Sequence, residues 1–76
     1  MPTVIEYLGL KFKINANDHN PPHVHVEGRG CSVRISLKSI KVMSIDGFSR
    51  SDLKRILEVV RFYQKELMGA WNEYHK

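Results

Sequence analysis

Polar and apolar residues alternate along the first half of the chain and recur every three or four positions along the second. Leu10-Lys11-Phe12-Lys13-Ile14 puts Leu10, Phe12 and Ile14 on one side and the two lysines on the other, which predicts a half-buried strand. His23-Val24-His25-Val26-Glu27 alternates the same way, with the valines inward and His23, His25 and Glu27 outward. In Ser32–Lys38, Val33, Ile35 and Leu37 face in while Arg34, Ser36 and Lys38 face out. Two less regular strands complete the set, Thr3–Leu8 and Ile40–Ile45, with turns at Gly9, at Gly28-Arg29-Gly30 and at Asp46-Gly47, where glycine supplies a positive φ.

From Ser49 onward the period changes. Ser49 reads as a helix N-cap, Asp52 as its reciprocal partner at the third helical position, and Phe48 with Leu53 as a hydrophobic staple. Leu53, Ile56, Leu57, Val60, Tyr63, Leu67, Ala70, Trp71 and Tyr74 then form one apolar stripe, widened by Val59, Phe62 and Met68. A continuous helix of that length runs to about 38 Å, against about 20 Å for a six-residue strand. It must therefore overhang or bend, and Gly69 is the expected bend. The predicted architecture is an α+β two-layer domain over residues 1–76: an antiparallel sheet of four or five strands across about 3–46, packed against one long C-terminal helix over about 50–75. A single helix leaves one sheet face uncovered, and the alternation gathers Lys11, Lys13, His23, His25, Glu27, Arg34, Ser36 and Lys38 there.

Composition narrows the picture without naming a function. Seventy-six residues make one small domain, for which a homodimer is a natural extension of the core. The single cysteine, Cys31, forms no intramolecular disulfide, and no stretch is long and apolar enough to span a bilayer, so a cytoplasmic protein is expected. Twelve Lys and Arg against eight Asp and Glu give a net charge of +4, which suits an anionic partner such as RNA.

The candidate chemistry sits in His19-Asn20-Pro21-Pro22-His23-Val24-His25, which holds three of the four histidines. His23 and His25, two apart on a strand, point the same way about 6.6 Å apart at Cα. That spacing suits a zinc site, with His19, Asp18 or Glu27 as the third ligand. It equally suits a general acid–base pair acting on a phosphodiester, with Lys13 and Arg34 holding the phosphate. The structural alternative makes both of them ordinary cross-strand residues. Trp71 and Tyr74 are either core residues or, if the helix overhangs, an exposed aromatic contact for a partner.

Together, Met1-Pro2-Thr3, the Asp18-His19-Asn20-Pro21-Pro22-His23-Val24-His25 core and the helix ending near Trp71 resemble the bacterial family called domain of unknown function 4160. The similarity covers nearly the whole chain. It implies a short bacterial protein from a toxin–antitoxin-like gene pair, encoded alongside another small protein, and it carries no catalytic assignment. The leading expectation is thus an interaction module binding a cognate small protein or RNA, with Lys11, Lys13, Arg34, Lys38, Trp71 and Tyr74 as its contact residues. The alternative is a small ribonuclease or metal-dependent hydrolase using His23 and His25. In a third reading, His19, His23 and His25 form a structural zinc site.

Overall fold

The computed structural model describes residues 3–17 and 19–75, without the side chains of Thr3 and Val4. Five strands, β1 (Thr3–Tyr7), β2 (Leu10–Lys13), β3 (His23–Gly28), β4 (Cys31–Ser36) and β5 (Val42–Asp46), pair in chain order as an antiparallel meander. Two helices follow, α1 (Arg50–Phe62) and α2 (Gln64–Tyr74). No helix among the described residues is long and apolar enough to cross a membrane.

Hairpin chemistry sets the meander. Leu8 and Gly9 join β1 to β2, and Arg29 and Gly30 join β3 to β4, each pair with φ between +53° and +76°. Two consecutive left-handed residues twist the chain in the sense that adjacent strands require, so each turn needs two residues. Gly28, expected to share the second turn, instead closes β3. A Cβ there would lie 2.6 Å from Leu10 Cδ2 and 2.8 Å from the Gly9 carbonyl, so its hydrogen side chain is what lets the two hairpins approach.

The inward residues of three strands, including Phe12, Val24, Val26 and Ile35, are sealed from solvent beneath Ile56 and Val60 of α1. Each such burial contributes on the order of 1.5–3 kcal/mol. Helix α1 starts as its sequence predicts. Ser49 Oγ accepts a hydrogen bond from the Asp52 amide at 3.2 Å, and Phe48 is buried beneath the first turn. Hydrogen bonding to Ser49, aided by the nearby Arg29 guanidinium, holds the Asp52 carboxyl below its ordinary value of 3.8, against a partial loss of solvation. A depressed folded-state value means stability that is present above the unfolded-state value and lost as pH falls through the folded one. Asp52→Asn should therefore melt below the parent at pH 7, and the two melting curves should converge towards about pH 2. Parallel curves across that range would contradict the assignment.

One long helix was expected, with a bend at Gly69. The helix instead breaks at Tyr63, whose φ of −101° and ψ of 17° end α1 after 13 residues and start an α2 of 11. Gly69 stays helical within α2. The break resolves the mismatch in length. The turn at Tyr63 brings Leu67 and Trp71 into the core, with Trp71 against His23 at the start of β3. Both are buried there, and Gln64 Nε2 donates to the Leu37 carbonyl at 2.6 Å, pinning the bend to the chain leaving β4. The layers cover the sheet unevenly: all five residues of β5 are exposed, Val42, Met43 and Ile45 among them.

Candidate functional site

Two cross-strand rows organise the uncovered face. Pairing sets Lys13 opposite His25, His25 opposite Arg34 and Arg34 opposite Ser44, one row across four strands. The next row runs Glu6, Lys11, Glu27, Ser32, Asp46. Directly opposed side chains on one face lie about 5 Å apart at Cβ, so each row is a continuous line of polar groups. Lys13 Nζ reaches diagonally to Glu27 Oε1 at 3.0 Å, and Arg34 Nε donates to Ser44 Oγ at 2.9 Å. The face is thus striped. Its cations Lys11, Lys13 and Arg34 are matched in number by Glu6, Glu27 and Asp46, and the positive charge concentrates in the Lys13–His25–Arg34 row. The basic, histidine-bearing face expected from the strands taken singly is balanced in charge instead, because register brings Glu6 and Asp46 alongside Glu27.

The three motif histidines part company. His25 is half-buried on the open face. His23, expected beside it in solvent, is only 4% exposed. Its alternation does put it on the face opposite Val24, but α2 turns round the sheet end and lays Trp71 against it, ring centroids 5.3 Å apart. On its other side the His25 ring stands edge-on at 5.0 Å. His23 Nδ1 donates to the Pro21 carbonyl at 2.8 Å, which fixes the Pro21-Pro22 lead-in to the strand; the Asn20–Pro21 peptide is cis. Of the two histidines expected as an acid–base pair, His25 reaches the surface and His23 is buried.

His19 is exposed in the loop, where it lines an open cleft of about 620 Å³ with Lys38, Trp71 and His75. Lys38 therefore belongs to the sheet end and not to the open face. Among the described residues no three His, Cys, Asp or Glu side chains gather as a ligand set for zinc. Asp18, expected as a third ligand, lies outside those residues, as do Met1 and Pro2. Trp71 is core, 3% exposed, while Tyr74 is exposed.

Two features escaped the sequence reading. His75 stacks on Trp71 with centroids 3.8 Å apart and planes within 13°, its Nδ1 donating to the Trp71 carbonyl at 2.8 Å. His25, His23, Trp71 and His75 thereby form one aromatic column from sheet to helix. The four-residue spacing of Trp71 and His75 is the signal that could have shown it. The second is the outer side of α1, where Arg50, Lys54 and Arg61, three of the chain's twelve basic residues, are exposed at helical spacing with Glu58 among them.

Fold and face together define a small α+β meander domain with one sheet face left open and charged in stripes. Residues 9–72 match the family described as Domain of unknown function (DUF4160), and the chain belongs to that family. No curated protein and no solved structure matches it.

Proposed function

We propose that this protein is an interaction module whose open sheet face docks an acidic strip of a small partner protein along the Lys13–His25–Arg34 row. The observation that carries this reading is the row itself, three cationic or protonatable side chains aligned on adjacent strands of an uncovered face. A flat meander face held rigid by the core beneath offers such a strip a preformed surface. The acidic residues of the neighbouring row argue for a patterned protein partner over a polyanion such as RNA, whose backbone meets Glu6, Glu27 and Asp46 with repulsion. The partner class agrees with the gene-pair organisation that the family resemblance implies.

The test is co-expression with the small protein encoded beside this one. Co-purification is expected, with an affinity that falls as salt rises. Lys13→Glu with Arg34→Glu should weaken the complex about 100-fold, since each reversal turns an attraction into like-charge contact. Retention of the complex by the double variant, or salt-dependent RNA binding with no protein complex, would overturn the reading.

A further inference from the structure

The open face does not account for β5, an edge strand whose five residues are all exposed, its apolar members Val42, Met43 and Ile45 by 36–44%. Exposed apolar edges are a hazard that proteins normally blunt, so an uncovered one calls for an occupant. We infer that β5 pairs antiparallel with β5 of a second copy of this chain, joining two meanders into one ten-stranded sheet.

Backbone direction supports the pairing. The Arg29-Gly30 turn makes Gly28 and Cys31 a hydrogen-bonded pair, and alternation from there points the Val33 and Ile35 amides towards β3. Their partners across the next ladder, Ile45 and Val42, consequently turn their own N–H and C=O groups to the open edge. The Ser36 amide, in contrast, donates to the Lys41 carbonyl, which faces inward.

Side-chain order supports the same register. Arg34 pairs with Ser44 but Ile35 with Val42, so Met43 is an extra, bulged residue. A bulge ordinarily turns an edge away from partners. Here it places Val42 and Ile45 in phase, both on the helix side of the sheet and both with outward backbone groups, although they are three residues apart. A two-fold axis between Met43 and Ser44 then sets Val42 opposite Ile45 of the second copy, with both backbone bonds exchanged, and the symmetric pair repeats it. The same register sets Lys41 opposite Asp46 of the second copy, twice. Shifting it loses both the backbone match and the charge match, so the edge is complementary to itself. On α1, Asp52, Arg55 and Val59 line a cleft with Tyr7 and Leu8 at the β1 edge, so helical spacing turns the half-buried Leu53 and Leu57 towards the β5 side as an apolar floor for the contact.

Sedimentation equilibrium on the full chain tests the inference, with circular dichroism as a check on folding. A dimer is expected at a chain concentration of about 200 μM, a strength suited to a small interface. Ile45→Lys should raise the dimer dissociation constant at least tenfold, roughly the cost of setting an unmatched charge on the pairing strip. Lys41→Glu alone and Asp46→Lys alone should each weaken it about tenfold, and combining them should restore it to within about threefold of the parent. The restoration requires these two residues to face each other across a symmetric contact, so it decides the matter even if Ile45→Lys fails to fold. A chain that stays monomeric, or a dimer indifferent to these substitutions, overturns the inference.

Discussion

Trp71→Ala is expected to destabilise the fold by about 3–5 kcal/mol, the range for truncating a buried aromatic. Trp71 is 3% exposed and lies between His23 and His75, so its removal opens the centre of the aromatic column, with protein on both sides of the gap. It also releases a side chain that ties α2 to the motif. A small domain has roughly 5–15 kcal/mol in total, so the variant should be marginally folded at best. Urea denaturation followed by far-ultraviolet circular dichroism reads the loss directly. A change below about 1 kcal/mol would mean that α2 does not hold the sheet end, and that the column is no structural unit.

The second large effect separates the two strand histidines. His23→Ala should cost about 2–4 kcal/mol, combining lost packing against Trp71 and His25 with the lost bond to the Pro21 carbonyl. His25→Ala, at a half-buried position on the open face, should shift stability by less than about 1 kcal/mol. Its effect should fall on partner binding instead. Equal losses in the two variants would sink the division of labour between a packing histidine and a surface one.

That division was not legible in the sequence, and the reason is physical. Alternation along a strand fixes which way a side chain points, and it correctly set His23 opposite Val24. It cannot fix what arrives from elsewhere to cover that side chain. The cover is Trp71, delivered by a break at Tyr63 that the apolar stripe runs straight through, because Tyr63 is itself one of its members. Glycine marked the wrong bend for a related reason. Gly69 is permissive, but the break falls at Tyr63, next to the Gln64 side chain that bonds the Leu37 carbonyl beyond β4. Local signals fared better. The N-cap at Ser49, the turn glycines Gly9 and Gly30, and the inward set from Leu10 to Leu37 all follow from neighbours within a few residues, and all stand in the structure.

Charge behaved the same way. Lys13, His25 and Arg34 were assigned to one face from their own strands, and register joined them in one row. Register also brought in Glu6 and Asp46, which single-strand reasoning could not align with that row, and it turned a basic face into a striped one. The exposed Arg50, Lys54 and Arg61 on the outer side of α1 are legible in the sequence from their helical spacing alone.

The most direct test of the proposed docking face is chemical-shift mapping on the isotopically labelled chain, titrated with the small partner protein that the family resemblance implies. Amide shifts are expected to be confined to β2, β3 and β4, largest at Lys13, His25 and Arg34, and to fade as salt is raised. Shifts confined to Arg50, Lys54 and Arg61 on the outer side of α1 would contradict the proposal and would move the interaction surface to the helix.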